Sequence, residues 1–462
     1  MPEPRIHDGD AAMSPTTTTL AAATTTTTTT MTTTAAATAG LAMAWWRAAG
    51  GGLVGTFTAF WLRALGGANA PSVTVVERDP RYRTASSVLS CGGLRQQFSL
   101  VENIRLSMAS MRFIKNDYHQ IAAPDADADD RHGPKRVGLA EEGYLFLAGS
   151  EAGAQTLREN HALQVSEGAT VSLLDRETLA AQFPFLHCED ILLAGFGTAN
   201  EGWIDAYTML MDARRKATEL GATFVTSTVE NVRLNASGER VQGITLADGT
   251  EIDCGTMVNA AGAWSGRLAS MAGIHLPVEP RLRHVFSIHC RALEGDMSLR
   301  CPLTVDPSGV YFRRDGRPRT GRYICGVSPE EEEDIVLDPA MTADDLAAEF
   351  QHRSAHDFFQ DRVWPVLAER VPAFGELKVT GSWAGCYDIN SLDHNAVIGP
   401  HPDKSNFVFA SGFSGHGMQM SLSTGRAVAE HILFSEYRSI DLSRFGYDRI
   451  AKNEPILERN IV

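Results

Sequence analysis

The chain lacks the features that mark several large classes of protein. No apolar run in its 462 residues approaches the about 20 residues that a membrane-spanning helix requires. Basic clusters are absent as well, and the formal net charge of -15 does not suit binding to nucleic acid. We therefore expect no transmembrane segment and no nucleic-acid partner.

Cysteine is scarce and scattered. The seven cysteines form no C-x-x-C pair, which indicates neither a disulfide framework nor a zinc site, and is typical of a reducing compartment. The acidic stretch 125–130 imitates the start of a calcium loop, but it lacks the glycine at the sixth position. Arg136 stands where that loop needs a bidentate glutamate. The sequence therefore predicts a solvated loop and no metal site.

Charge is also missing near the amino terminus. No charged residue occurs from Ala11 to Trp46, where threonine and alanine dominate without helical or strand periodicity. We expect residues 1–44 to be a disordered leader. A targeting segment and a wrongly assigned gene start are both open, because only Arg5 and His7 are basic before Arg47.

A glycine pattern near residue 50 is the main organising motif of the chain. Gly50, Gly52 and Gly55 form G-x-G-x-x-G, and the strand 73–76 downstream ends in Glu77. In dinucleotide-binding folds the first glycine makes a tight turn, and the second lets the backbone approach a pyrophosphate. The third allows close packing of helix on strand, and the acid binds a ribose hydroxyl. The helix after the turn has a regular apolar face, comprising Leu53, Phe57, Phe60, Trp61, Ala64 and Leu65.

The strand that should precede this turn is the weak point of the pattern. A dinucleotide fold places a buried strand there, and such strands are usually rich in valine and isoleucine. Residues 41–49 contain neither. The sequence therefore makes the first strand doubtful.

A second glycine-rich turn lies about 360 residues further on. The strand 407–410 leads into the turn Gly412–Gly417, which opens a helix running to about Leu433. Helix amino termini favour negative charge. Two such turns can converge on one ligand, the first on a pyrophosphate and the second on the anion of a reduced flavin.

The composition changes in the middle of the chain, where residues 274–377 show longer strands with alternating polarity. We predict a discontinuous cofactor domain and a mostly β substrate domain. The cofactor domain takes 45–98, 200–272 and 378–445, and the substrate domain takes 99–199 and 273–377. Residues 446–462 form a C-terminal tail.

The two turns, together with Val258–Trp264, resemble the D-amino-acid oxidase / sarcosine oxidase superfamily of FAD enzymes. More narrowly, four segments are similar to a mitochondrial branch of this superfamily that is associated with assembly of respiratory complex I. These segments are 94–99, 305–313, 356–359 and 382–401. The resemblance implies an α/β fold, in which a Rossmann-like FAD-binding domain carries an inserted β-rich substrate domain of D-amino-acid oxidase type.

The resemblance also implies roles for single residues. Gly50, Gly52 and Gly55 would hold the FAD pyrophosphate, Glu77 the ribose and Val229 the adenine region, and Gly262 would line the cofactor. The flavin ring would lie over the last turn, which contributes Gly412, Gly415, Gly417 and Met418. Arg95 is expected at the cofactor or the substrate.

The substrate end departs from the sarcosine oxidases. Those enzymes place a lysine two residues after the last glycine of the second turn, where this chain has Gln419. Arg95, Arg313 and Gln419 remain as candidates for binding substrate, since a guanidinium suits a carboxylate. Cys386 lies seven residues before Asp393, where sarcosine oxidases attach FAD covalently. It is therefore either a flavin link or an ordinary core cysteine.

Two functions of different classes are compatible with these residues. The first is an FAD-dependent oxidoreductase that oxidises a C–N bond of an amino acid or N-methylated amine. It would pass electrons to oxygen or to an electron-transfer flavoprotein. The second is an FAD-containing assembly factor for respiratory complex I with little or no turnover. An NAD(P) dehydrogenase is disfavoured, because it leaves Gly412–Gly417 without a role. The resemblance implies a mitochondrial location for either function.

Overall fold

The computed structural model describes residues 45–67, 70–123, 137–294, 301–352 and 355–459. Residues 1–44 and 125–130, for which a leader and a solvated loop were predicted, lie outside these ranges. The strands are β1 (Trp45–Ala49), β2 (Ser72–Glu77), β3 (Gly93–Leu94), β4 (Tyr144–Ala148), β5 (Val171–Leu174), β6 (Leu193–Gly197), β7 (Gly202–Trp203), β8 (Ala222–Thr226), β9 (Val229–Leu234), β10 (Val241–Leu246), β11 (Glu251–Asp253), β12 (Thr256–Asn259), β13 (Val278–Glu294), β14 (Leu303–Val305), β15 (Tyr311–Arg314), β16 (Thr320–Gly326), β17 (Lys378–Asn390), β18 (Val397–Pro400) and β19 (Phe407–Ser411). The α-helices are α1 (Leu53–Gly66), α2 (Val101–Asn116), α3 (Glu151–Ser166), α4 (Arg176–Gln182), α5 (Ala206–Glu219), α6 (Ser265–Met271), α7 (Ala343–His352), α8 (His356–Phe358), α9 (Trp364–Arg370), α10 (Gly417–Phe434) and α11 (Asp448–Lys452).

A six-stranded sheet carries both glycine-rich turns. Its strand order is β18-β19-β12-β1-β2-β8, with β1 parallel to both β2 and β12. The doubt about the first strand was therefore wrong. Pairing on both sides supplies β1 with hydrogen bonds that its composition does not favour, and Ala48 and Ala49 are buried there.

Helices α1, α2, α5 and α10 pack on one side of this sheet around a large apolar cluster. The crossing of α1 and α10 is close, because a Cβ at Gly425 would lie 2.7 Å from the backbone of Phe57. Glycine is what lets α10 approach α1 so closely. The last turn of the cofactor domain is thereby fixed to the helix that follows the first turn.

An eight-stranded sheet has the order β17-β13-β16-β15-β14-β4-β6-β5. The two long strands β13 and β17 pair antiparallel over most of their length. A second apolar cluster, which includes Phe286, Phe312 and Phe359, lies on the face of this sheet that α9 covers. A hairpin of β10 and β11 turns at Asp248 and Gly249, a dipeptide that is typical of hairpin turns.

Sheet membership shifts two of the predicted domain boundaries. Strand β17 belongs to the eight-stranded sheet, so the cofactor segment set at 378–445 begins with residues of the other sheet. Helix α2, assigned by sequence to the substrate domain, packs against α10 in the cluster beneath the six-stranded sheet. From the sequence we would predict Asn103 as the amino-terminal cap of this helix, but α2 begins at Val101 after Leu100, so that prediction is wrong.

None of the helices in the described part of the chain is long and apolar enough to cross a membrane. Over the same residues, no group of three or more histidine, cysteine, aspartate or glutamate side chains is placed to hold a metal ion.

Candidate functional site

One groove joins the two glycine-rich turns. It has an empty volume of about 1350 Å³ and begins where β1, β2 and β12 end. Its wall includes many of the residues that the sequence singles out, namely Gly50, Gly52, Glu77, Val229, Gly262, Gly415, Gly417 and Met418. Ligands of open α/β sheets bind at the carboxyl ends of the strands, which is where this groove lies.

The three glycines of the first turn have different surroundings. Gly50 has a φ of +108°, and a Cβ there would collide with the carbonyl of Ala260. A Cβ at Gly55 would collide with the carbonyl oxygen of Gly50. At Gly52, by contrast, the nearest atom to an added Cβ is the Ser87 Oγ, 4.0 Å away. Gly50 and Gly55 are therefore required by packing, whereas Gly52 faces open groove.

Glu77 is held against the first turn at the end of β2. Its Oε2 accepts a hydrogen bond from the Gly51 N–H at 2.8 Å, and its Oε1 accepts one from the Asp79 N–H at 2.8 Å. Burial raises the pKa of the Glu77 carboxyl, while these backbone N–H groups and Arg78 favour the anion. The carboxylate thus sits beside Gly52 at the groove wall, in reach of a bound dinucleotide.

Arg78 and Trp264 also belong to this wall, although neither was predicted from sequence as a site residue. The Arg78 guanidinium lies 3.7 Å from the centre of the Trp264 ring, and its buried Nη2 has no hydrogen-bond partner. An unpartnered guanidinium nitrogen beside open space suits a phosphate or ribose oxygen. The sequence signal that could have identified Arg78 is its position directly after Glu77, the acid that ends β2.

The second turn is fixed by a carboxylate that was not predicted from sequence. One Oδ of Asp388 accepts hydrogen bonds from the N–H groups of Gly412 at 2.9 Å and Phe413 at 3.0 Å. Its backbone carbonyl accepts a third from the Ser414 N–H. Burial raises the pKa of Asp388 to about 6. Asp388 therefore positions the turn from below, and Gly412 lies behind the wall rather than in it.

Tyr387 forms the neighbouring part of the wall. A Cβ at Gly415 would lie 2.5 Å from the Tyr387 ring, so the absence of a side chain lets the ring pack on the turn. Tyr387 lines the groove, and Cys386 points to the opposite face of β17. Because side chains alternate along a strand, the sequence could have shown that Tyr387 and Cys386 lie on opposite faces of β17. It could not have shown which of the two residues faces the groove.

Arg95 is not exposed to the groove. It is 2% exposed, and its Nη2 lies 2.9 Å from the His416 Nε2 while its Nη1 donates to the Gln97 carbonyl. Its guanidinium also stacks on the Phe98 ring at 4.1 Å. These partners occupy the cation, so the structure does not support Arg95 as a substrate ligand. It holds the second turn in place through His416.

Gln419 is buried below the same turn. Its Oε1 accepts a hydrogen bond from the Arg95 N–H at 2.8 Å. Arg313, the other candidate, is likewise buried and donates to the carbonyls of Cys91 and Arg314, both at 2.7 Å. Neither side chain is part of the groove wall. The structure therefore brings none of the three substrate candidates to the groove.

His416 caps the start of α10 and is fully enclosed. Burial, followed by the nearby Arg95 cation, lowers the pKa of His416 well below its ordinary value. The ring is thus neutral, and its Nε2 accepts a hydrogen bond from the Arg95 Nη2–H. The surroundings of His416 are those of a hydrogen-bonded structural histidine.

Cys386 has the surroundings of a core cysteine. It is 1% exposed and packs with Leu282, Leu337 and Ala384. Burial raises the pKa of its thiol to about 12, although Arg78 and Arg283 act against this. The thiol does not line the groove. This placement favours the core interpretation over a covalent link to flavin.

The groove fits FAD on its own geometry. Open space at Gly52 and Gly262 leaves room for a pyrophosphate, and the amino termini of α1 and α10 both begin at its wall. Neither helix has an acidic residue in its first turn, so both ends favour negative charge. These features agree with a dinucleotide that extends from Glu77 to Met418.

The chain has clear relatives. Residues 49–431 match the family described as DAO, FAD dependent oxidoreductase. FAD-dependent oxidoreductase domain-containing protein 1 of Xenopus laevis is 42% identical over 441 residues, which cover 89% of this chain and 84% of that protein. Monomeric sarcosine oxidase of Bacillus sp. (strain B-0618) is 25% identical over 296 residues, which cover 63% and 71%.

A solved structure agrees with the fold. L-proline dehydrogenase from P. horikoshii superposes with a TM-score of 0.72 at 23% identity, covering 90% of this chain and 99% of that one. The predicted fold class and the predicted FAD cofactor are confirmed by these matches. The chain belongs to the DAO family of FAD-dependent oxidoreductases.

Proposed function

We propose that this oxidoreductase oxidises a C–N bond of an amino acid or an N-methylated amine. The observation that carries the proposal is the single groove in which both turns meet, with Tyr387, Gly415 and Met418 at one end of it. Bound FAD supplies the acceptor for the hydride. The relatives whose names include sarcosine and L-proline support this substrate class.

The second turn favours a negative charge at its end of the groove. Helix α10 begins at Gly417, and its free N–H groups and dipole favour an anion at this end. Neutral His416 adds no positive charge, and Asp388 holds the Gly412 and Phe413 N–H groups inside the protein. The stabilisation therefore comes from the helix terminus rather than from a cationic side chain.

The substrate differs from sarcosine in our proposal. A lysine that would bind a small carboxylate is replaced by Gln419, whose amide oxygen is already bonded to the Arg95 N–H. A substrate that makes no carboxylate contact at this position suits the site. Electrons would then pass to oxygen or to an electron-transfer flavoprotein in the mitochondrion.

Anaerobic reduction tests the proposal directly. The purified protein, loaded with FAD, is mixed with a panel of N-methylated amines and of D- and L-amino acids, and its visible spectrum is recorded. Bleaching of the flavin band by members of the panel supports the enzyme. A flavin that dithionite reduces but no substrate reduces contradicts it.

That second outcome would favour the alternative, an FAD-containing assembly factor for respiratory complex I with little turnover. Complex I subunits that co-purify with the protein would add support to the alternative. A protein that stays colourless after incubation with FAD contradicts both functions.

A further inference from the structure

A second groove lies across helices α1, α2 and α10. Its wall shares no residue with the groove of the glycine turns, and its empty volume is about 960 Å³. Six apolar side chains contribute to this wall, namely Trp61, Met108, Ala109, Phe113, Leu422 and Ile440.

Hydrogen bonds between the helices fix the shape of this second groove. The Trp61 Nε1–H donates to the Leu422 carbonyl at 3.1 Å, which ties α1 to α10. The hydroxyls of Ser110 and Ser423 lie 3.0 Å apart and tie α2 to α10. Ala109 of α2 lines the groove with its short side chain. The groove is thus formed before any ligand binds.

Three arginines surround this apolar wall, on a chain whose net charge is -15. Arg105 is paired with Glu167 at 2.7 and 3.0 Å. Arg112 is exposed, and no carboxylate in the described part of the chain pairs with it. Asp117 and Glu167 also belong to the wall, so three cations and two carboxylates line the groove.

Arg426 completes the cationic edge. Its Nε donates to Glu430 at 2.9 Å, and its guanidinium lies 5.1 Å from the centre of the Trp61 ring. The second oxygen of Glu430 already accepts from the Arg438 and Ser439 N–H groups. The remaining guanidinium nitrogens of Arg426 have no partner among the described residues, and they are available beside the apolar wall.

We propose that the second groove binds an amphipathic carboxylate, with its apolar chain on Trp61 and Phe113 and its carboxylate at Arg112 and Arg426. A guanidinium fork matches a carboxylate geometrically, and unpaired cations beside an apolar surface distinguish an acid from a neutral chain. The ligand would touch α10 at Leu422, which follows Met418 by one helical turn, about 6 Å along the axis.

Decanoate is the probe that tests this site. Calorimetric titration of the FAD-loaded protein is expected to show one saturable site, with 1-decanol at least about tenfold weaker. Arg112→Gln is expected to weaken decanoate binding by about tenfold or more, the loss of one charged hydrogen bond. Ala109→Trp fills the groove and is expected to abolish binding. Arg322→Gln, which alters an exposed arginine of β16 outside this groove, is the matched control and should bind as the wild type does.

Several results would overturn the proposal. They are the absence of saturable binding to the wild type, equal binding of 1-decanol, and unchanged binding in Arg112→Gln. A flavin spectrum that decanoate still perturbs in Ala109→Trp would place the acid in the first groove instead. Circular dichroism checks the fold of each variant, and Arg112→Gln decides the question if Ala109→Trp does not fold.

Discussion

The substitution Gly52→Ala is expected to affect the stability of the protein and its affinity for FAD differently. Its backbone has φ -65° and ψ -175°, which alanine also adopts without strain. A Cβ there has the Ser87 Oγ at 4.0 Å as its nearest neighbour, an ordinary contact. The new methyl group of Gly52→Ala would stand in the groove itself, where we propose that the backbone of the turn meets the FAD pyrophosphate.

The two effects have opposite signs. The unfolding free energy of the apoprotein is expected to stay the same or to rise by about 0.4–1 kcal/mol, because alanine restricts the unfolded chain. FAD affinity is expected to fall by about 10- to 100-fold, since displacing one charged hydrogen bond costs about 1.5–3 kcal/mol. Urea unfolding of the apoprotein measures the first effect, and titration of FAD fluorescence measures the second.

Gly55→Ala is the matched control, because its methyl group would collide with the Gly50 carbonyl oxygen inside the protein. We expect that variant to lose about 1–3 kcal/mol of unfolding free energy without FAD. The reasoning is refuted if Gly52→Ala binds FAD as tightly as the wild type. It is also refuted if Gly52→Ala destabilises the apoprotein as much as Gly55→Ala does.

Three further predictions concern buried groups around the second turn. Burial raises the pKa of Asp388 to about 6, above its unfolded value, so its contribution to stability is present at low pH and is lost as the pH rises. Between roughly pH 4 and 6 this loss amounts to about 3 kcal/mol of unfolding free energy, and Asp388→Asn should remove it in urea unfolding of the apoprotein. An unfolding free energy that depends on pH in Asp388→Asn as it does in the wild type would contradict the assignment. Acid precipitation of the holoprotein should leave all FAD in the supernatant, since Cys386 packs in an apolar cluster. A yellow pellet from the wild type, together with a colourless pellet from Cys386→Ser, would show a covalent link instead. Arg95→Gln loses the contacts to His416 and Gln97 and should lower the unfolding free energy by about 3 kcal/mol. Thermal and urea unfolding measure this change, and a variant as stable as the wild type would contradict the prediction.

The fold was predictable where local patterns agree with tertiary contacts. The apolar face from Leu53 to Leu65 and the Asp248-Gly249 turn each specify one element in isolation. Strand β1 could not be predicted in the same way, because its stability comes from pairing with β2 and β12, and β12 lies about 200 residues away. Likewise β17 joins the eight-stranded sheet through β13, a partner that its own sequence does not reveal.

The candidate site was predictable at the glycines and less so at the charges. Close approach of backbone to backbone requires glycine, so Gly50 and Gly55 leave a signature in the sequence itself. A buried arginine leaves none, because the groups that hydrogen-bond to Arg95 or stack on it include residues 97, 98 and 416. Asp388 was missed for the same reason, since the N–H groups that donate hydrogen bonds to it belong to a turn 24 residues later.

The strand order of the six-stranded sheet has a consequence for synthesis of the chain. The neighbour of β1 on one side is β12 at Thr256–Asn259, whose own next neighbour is β19 at Phe407–Ser411. A nascent chain therefore carries its first glycine turn on an incomplete sheet until most of the protein has left the ribosome. Non-local pairing of this kind folds slowly. Because the second turn follows β19 directly, the groove is complete only after residue 417 has been synthesised, about 360 residues after the first turn.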